Sequence, residues 1–515
     1  MTETHLIRLE AINLAPILFD TRDLSTIRGS SLLLLDAVQR VTKWLAEFGC
    51  NPVSLSQGAS MGLWRVQTTQ LEHVLHKIRS HLCQDPQLTH ATFVLTSTAE
   101  SSAFQDSNES LLASQRWAQM QSLSLVIPPT PPPDLATVPP SCELDGLRPA
   151  TKKRRGINRD NGEPTFLSES TAARRSHGRD AKQSFYRSLT GIDSLPPFAS
   201  EFEDIAVSSN TSALNGKMAV FYADGNSFGQ IQRDHCTGPK QQALWDHFIR
   251  STRRDFLTVF LKDEVLTHPD QWLTDGGEIR FEILLWGGDE VMFVMPGTLG
   301  WRFAQRFFES FEDTLLSSAR FPTAGEAPNH PFADDPTRFE TEVRLSHAAA
   351  LVFCHHHAPI HRIQKLARED LAEFAKETDR SKDHLACLAL ESFDHLGSGF
   401  ASALQERYKG RLEPKHCLIS ANDHGTLARN LAEIASSIDA LKAPSTDFPR
   451  SQLRSFVTSA IRSSEKDISL KSALESEFRN ATPDARQELE NLKNRFSTQT
   501  AFWFQTEELW DYARP

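Results

Sequence analysis

The sequence predicts an α+β protein in which one β-α-β-β-α-β plan occurs twice, followed by a helical C-terminal region. Three observations carry this reading. Residues 1–110 alternate strand and helix signals in that order, residues 215–395 repeat the order at larger scale, and residues 400–510 show mainly helical periodicity. A chain of 515 residues also exceeds what one hydrophobic core serves. The expected units are 1–125, a linker and basic region at 126–214, a second α/β unit at 215–399, and helices at 400–515.

In the first unit, "HLIRLEAINLA" reads as a strand, and "SSLLLLDAVQRVTKWLAEFG" has helical apolar spacing with a Ser start and a Gly stop. "PVSLSQGAS" and "MGLWRVQ" read as two short strands around a Gly-containing turn, "LEHVLHKIRSHL" as an amphipathic helix and "HATFVLTST" as a strand. "VIPPTPPPDLATVPP" is a stiff proline-rich linker, and the basic stretch from "KKRR" at 152–155 to Lys182 reads as mobile loops. In the second unit, "KMAVFYADGNSFG" is a strand ending in a polar loop, and "QQALWDHFIRSTRRDFLTVFLKDEVL" a long helix. "IRFEILLWGGDEVMFVMPG" is a hairpin, "WRFAQRFFESFEDTLL" a helix, "VRLSHAAALVFCHH" a strand and "IHRIQKLAREDLAEFAKE" an extra helix.

Apolar content of 39% and charged content of 23% are ordinary for a soluble chain. No apolar run approaches the ~20 residues of a membrane helix, and the N-terminus lacks the basic start and cleavage site of a signal peptide. A cytoplasmic protein without membrane contact is expected. The seven cysteines are scattered and odd in number, which suits free thiols. A net charge of −11 argues against nonspecific coating by nucleic acid.

The chemistry concentrates in "ADGNSFG" and "WGGDE". In a β-α-β-β unit the first strand lies beside the hairpin, so Asp224 falls next to Asp289 and Glu290. Three carboxylates at adjacent strand ends repel one another unless a cation sits between them. Hard oxygen donors suit Mg²⁺ or Mn²⁺, completed by substrate phosphates. Gly287 and Gly288 are expected to take the positive φ of a tight turn and to leave room for a nucleotide. Gly225 and Gly229 open the loop after Asp224, Asn226, Ser227 and Phe228 lie within it, and its N–H groups can hold phosphate. Lys376 and Lys382, with Arg380, are candidate triphosphate cations. Each feature alone has a plainer reading, as a turn, a cap or a solvated charge. "CHHH" at 354–357 matches no recognised zinc spacing, and consecutive strand residues point to opposite faces.

With these residues in view, "ADGNSFG", "WGGDE" and "LSHAAALVFCHHHAPIHRI…LAREDLAEFAKE" resemble the second palm domain of the large polymerase/cyclase subunit of type III CRISPR effector complexes. "FDTRDLSTIRGSSLLLL" resembles that family's first, non-catalytic palm, whose hairpin here reads "SQGAS" without carboxylates. "CELDGLRPA" resembles its inter-palm zinc element, with Asp145 where a second Cys is expected, so zinc is doubtful. The resemblance implies two palms and a helical C-terminal domain. It implies synthesis of cyclic oligoadenylate from ATP with two Mg²⁺ or Mn²⁺ ions held by Asp224, Asp289 and Glu290. It also implies a CRISPR-type RNA–protein complex or a homo-oligomer as partner. The first palm is expected to begin the chain without the family's usual nuclease domain, the tip reads GGDE rather than the commoner GGDD, and Asn226 stands where a second Asp is frequent. A non-catalytic scaffold, contacting RNA through the basic segment at 152–182, and a cyclic dinucleotide synthase are the alternatives.

Overall fold

The computed structural model describes residues 3–58, 60–88, 91–122, 140–154, 165–207, 213–312, 344–390, 399–421, 425–446, 448–462, 481–496 and 498–514. The proline-rich linker and the part of the basic stretch at 155–164, read above as mobile, lie outside these residues.

Strands β1 (Glu3–Ile12), β2 (Val53–Gln57), β3 (Met61–Thr68) and β4 (Thr92–Ala99) form an antiparallel sheet in the order β2-β3-β1-β4. With α1 (Leu24–Glu47) after β1 and α2 (Leu71–Gln84) after β3, this is the ferredoxin-like plan. Alternation explains which face is covered. Ile7, Leu9, Trp64 and Val66 project to one side and pack with Val38, Val41 and Ile78 of the two helices. A third helix, α3 (Phe104–Gln121), packs Phe104 and Leu111 against Leu6, Leu55 and Leu63 on the other side.

Strands β5 (Lys152–Arg154) and β6 (Thr165–Leu167) make a short ribbon before α4 (Glu169–Asp180) and α5 (Lys182–Thr190). Here Asp145, at the position of the doubtful zinc ligand, accepts from Leu147 N at 2.8 Å, Arg148 N at 2.9 Å and Thr171 Oγ1 at 2.6 Å. A hydrogen-bonded carboxylate thus organises this turn, and burial is outweighed by those donors and Arg148, which hold Asp145 well below the usual carboxylate range. Cys142 faces the other way, into a small apolar cluster with Leu167 and Ala172.

The second sheet has the order β12-β11-β10-β7-β9-β8, built from β7 (Lys217–Gly225), β8 (Glu282–Trp286), β9 (Glu290–Pro296), β10 (His347–His355), β11 (His384–Ala389) and β12 (Leu418–Ser420). Its β7-α6-β8-β9-α7-β10 portion, with α6 (Pro239–Val259) and α7 (Gly300–Phe311), repeats the first plan. Met218–Ala223 of β7 are buried without alternation, as a central strand requires. Aromatic rings fill the space under the helices, with Phe221 and Phe307 centroids 4.9 Å apart and Phe260 and Phe303 likewise 4.9 Å apart.

Four strands differ from expectation: β5 and β6, with α4 after them, order part of the stretch read as mobile loops, and β11 and β12 extend the second sheet. After β10 a helix runs through Ile360–Lys365, a π-wound Leu366–Ala372 and Glu373–Thr378, and returns the chain into β11, parallel to β10. "HLACLA" is buried at every position, so no alternation marks it. Then β12 adds residues from the region read as helical to the same sheet. The helices α8 (Leu427–Lys442), α9 (Arg450–Arg462), α10 (Pro483–Lys493) and α11 (Gln499–Leu509) follow, and Leu431, Leu489 and Phe502 join the sheet's own core.

Among the described residues, several contacts tie the first palm to the rest of the chain, and two of them involve α1. Helices α1 and α4 cross at glycines: a Cβ on Gly29 would lie 1.8 Å from Arg174 O, and one on Gly178 would lie 2.0 Å from Ser25 O. Beside this crossing, Glu282 of β8 is buried among Arg28, Lys182 and Tyr186. Arg28 Nε donates to it at 2.8 Å, Lys182 Nζ lies at 3.2 Å, and Tyr186 Oη donates at 3.1 Å. Burial would raise Glu282, but Arg28 and Lys182 outweigh it and hold the carboxyl below the usual range. Lys182 is the more easily discharged partner, lowered by burial and by Arg28 to about 8.

The start of β10 is held by Asp383, whose Oδ1 accepts from His347 N at 2.7 Å. Burial pushes this carboxyl up to about 6 from an ordinary 3.8. The folded chain therefore keeps a proton that the unfolded chain releases, and stability falls as pH rises through that window. On going from about pH 4 to pH 7 the native chain should lose about 2 kcal/mol more than Asp383→Asn, which keeps the acceptor but cannot ionise. Denaturant melts at the two pH values measure this, and parallel curves for both proteins would contradict it.

Candidate active site

Asp224 stands at the end of β7 and pairs across the ladder with Glu290, the first residue of β9. Directly opposed residues of an antiparallel pair project to the same face, so these carboxylates share one face. Asp289 occupies the adjoining turn, where its carbonyl accepts from Gly225 N at 3.1 Å. The topology thus brings Asp224, Asp289 and Glu290 to one sheet edge.

The hairpin glycines serve differently from the expectation. Neither Gly287 nor Gly288 has a positive φ. Gly287 is required by close approach: its N–H donates to Glu290 O at 2.8 Å, and a Cβ there would meet that oxygen at 2.7 Å. Gly288 meets nothing within 4 Å.

Three cations balance the acids. Lys376 Nζ is hydrogen-bonded to Asp224, Arg368 lies 3.3 Å from Glu290, and Arg253 donates to Asp289 O at 2.8 Å. Even so, burial raises Asp224, with Asp289 adding to the rise and Lys376 opposing it. Burial raises Glu290 too, with Asp289 and Asp224 adding and Arg368 opposing. The Tyr222 hydroxyl also bonds Glu290. Both carboxylates are therefore poised for more positive charge than the chain supplies. The donor set fits a divalent cation: hard oxygens, with Asp224 and Glu290 desolvated and the acids mutually repelling. Among the described residues, these three carboxylates do not form a group close enough to share a single ion.

The other predicted residues divide. Ser227 has φ +57° and precedes a helix at Phe228–His235, and Gly229 has open space around its α-carbon. Phe228 does not face a ligand: its ring is buried beneath Gly225, 5.3 Å from Trp245 and 5.7 Å from His347. Asn226 is also buried, its amide donating to Ser346 Oγ at 3.1 Å and Lys382 O at 3.0 Å. Lys382 thus reaches the loop through its carbonyl, while its exposed ammonium lies 4.0 Å from Asp379. Arg380 likewise contributes a carbonyl, to Ser346 Oγ at 3.1 Å.

Arg253 and Arg368 were missed. Arg253 lies at helical spacing from Ile249, Phe256 and Phe260, so it falls on the apolar stripe of its helix. Arg368 is two turns from Lys376, a spacing that places both on one face.

A cavity of about 480 Å³ opens beside the hairpin, within the range of small-ligand pockets. Trp286, Gly287 and Gly288 line it from the second palm, and Gln57 and Gly58 from the corresponding hairpin of the first. Arg250 and Arg254 of α6 add positive charge. The carboxylates stand just outside this wall, past the glycine tip.

The class defined by this fold is a two-palm protein with one acidic hairpin and one plain hairpin. The solved structures it resembles include those of Csm1, a subunit of the type III-A CRISPR-Csm interference complex. A Csm1-Csm4 cassette in complex with one ATP matches with a TM-score of 0.51 at 12% identity, over 100% of this chain and 70% of that one. The Csm1-Csm4 subcomplex of the type III-A interference complex matches at 0.48 and 11%, over 98% and 70%. Csm1 of T. onnurineus matches at 0.44 and 11%, over 98% and 69%. At such identity the likeness is one of fold. No protein-family model matches the chain, and no curated protein matches it in sequence.

Proposed function

We propose that this chain is a metal-dependent nucleotidyltransferase that joins nucleoside triphosphates, ATP foremost, into a cyclic oligonucleotide signal, as a subunit of a CRISPR-type defence complex. The observation that carries the reading is the convergence of Asp224, Asp289 and Glu290 on one sheet edge beside an inter-palm cavity. The three carboxylates would hold two Mg²⁺ or Mn²⁺ ions, which supply Lewis-acid activation of a ribose hydroxyl and charge stabilisation of the leaving group.

The protein's own groups do the rest. Gly288 admits a nucleotide against the hairpin backbone, and the cavity walls from both palms hold two nucleotides in one compartment. Lys376 and Arg368, paired with Asp224 and Glu290 in the free chain, are freed for phosphate when those acids take up cation charge. A 3′-hydroxyl of one nucleotide attacks the α-phosphorus of the next. The new phosphodiester forms, the α–β phosphoanhydride breaks, pyrophosphate leaves and the hydroxyl proton is released.

The scaffold alternative loses most of its described RNA contacts. Arg174 is buried on Asp20, with Nη2 at 2.8 Å, Arg175 pairs with Asp23 at 2.9 Å, and Lys182 is buried on Glu282. Incubating the chain with each NTP and Mg²⁺ or Mn²⁺, with and without a guide–target RNA complex, tests the proposal. Cyclic oligoadenylate by mass supports it, a cyclic dinucleotide revises the product, and no turnover under any condition overturns it.

A further inference from the structure

At the end of the second-palm sheet remote from the hairpin, β10 stops at His355 and a turn carries His356 and His357. His355 pairs with Lys217 at the start of β7, whereas Asp224 pairs with Ala348. The seven residue steps from Lys217 to Asp224 span about 23 Å of strand, so this cluster is separate from the carboxylate site.

Consecutive histidines would point to opposite faces only if the strand continued. Because it turns, the rings gather: centroids are 4.3 Å apart for His355 and His356, 4.1 Å for His356 and His357, and 5.0 Å for His355 and His357. One ring nitrogen from each lies within 4.8 Å of the others. Cys354 faces the core and takes no part.

The middle ring is prepared for ligation. His356 Nδ1 donates to Gly216 O at 3.0 Å. That bond sets the tautomer and leaves Nε2 as a bare acceptor, which is buried and has no hydrogen-bond partner. A ring N–H on a backbone carbonyl with the other nitrogen bare is the usual state of a metal-bound histidine. Gly216 keeps the adjoining space open: its φ is +79°, and a Cβ there would come within 3.0 Å of His355 Nε2. His355 Nδ1 accepts only a long 3.3 Å bond from His357 N, so moving its proton to free Nε2 costs little. Around a tetrahedral ion with Zn–N bonds of about 2.0–2.1 Å the nitrogens sit about 3.4 Å apart. Small rotations of rings at a chain turn close that gap.

We propose that His355, His356 and His357 form a three-histidine site for a borderline transition-metal ion, Zn²⁺ foremost, with an open fourth position. A bound ion ties the end of β10 to the Gly216 turn that feeds β7. The test uses the full, tag-free chain in excess Mg²⁺, titrated with Zn²⁺ by calorimetry and with Co²⁺ by visible absorption. One equivalent of Zn²⁺ and a Co²⁺ d–d band are expected. His356→Gln and His357→Gln should each weaken binding at least about tenfold, the triple His→Gln variant should lose it, and Asp289→Asn should retain it. In the unsubstituted chain, Zn²⁺ should shield these histidines from diethyl pyrocarbonate, read by peptide mass. Unchanged labelling, equal binding by the triple variant, or loss of binding in Asp289→Asn overturns the proposal.

Discussion

Asp289→Asn and Glu290→Gln are each expected to lower cyclic product formation at least about a thousandfold, about 4 kcal/mol of transition-state stabilisation. Both substitutions keep side-chain size and remove charge, and the site is arranged around charge. Desolvation and mutual repulsion already raise Glu290, so removing one acid leaves too little negative potential to hold a second divalent ion. Asp289 is exposed in its turn, so its loss should leave the fold intact, which a thermal melt checks. Nucleotide binding in the inter-palm cavity should persist, because the carboxylates do not line it. Pyrophosphate release and product mass are the readouts. Either variant retaining activity within tenfold of the parent would show that these acids do not carry the chemistry.

Glu282→Ala should destabilise the chain by about 3–5 kcal/mol, because it leaves Arg28 and Lys182 buried without a counter-charge. The Tyr186 hydroxyl loses its acceptor as well. An apparent Tm lower by about 5–10 °C is the expected reading. The effect belongs to the junction, since Arg28 comes from the first palm and Glu282 from the second. Adding Arg28→Ala to Glu282→Ala should therefore cost much less than the sum of the two, with a coupling of at least about 1.5 kcal/mol. Additive effects, or a single-variant cost under about 1 kcal/mol, would mean that the cluster does not hold the palms together.

Much of the candidate site was legible because it depends on local order plus one topological rule. Given β-α-β-β, Asp224 must lie beside Glu290, and the ladder places them opposite each other. What stayed hidden depends on burial. Arg253 sits on an apolar stripe where a cation is costly, and partners distant in sequence, the carbonyl of Asp289 and the rings of Phe307 and Phe311, explain it. Phe228 looked like part of a binding loop, yet Gly225 above it lets the ring fill the core. The basic segment looked available for RNA, but Asp20, Asp23 and Glu282, far away in sequence, consume Arg174, Arg175 and Lys182.

By itself, then, the sequence determined the two β-α-β-β-α-β units, the acidic hairpin and its plain counterpart, since periodicity, turn residues and motif spacing are local properties. Only the tertiary structure decided the rest. It added β11 and β12 to the second sheet, drew the two hairpins onto one cavity and gathered three consecutive histidines at a turn. The first two depend on which buried surfaces and charges meet across long separations, and the third on where β10 ends, which Gly216 O, far away in sequence, helps to set by accepting from His356.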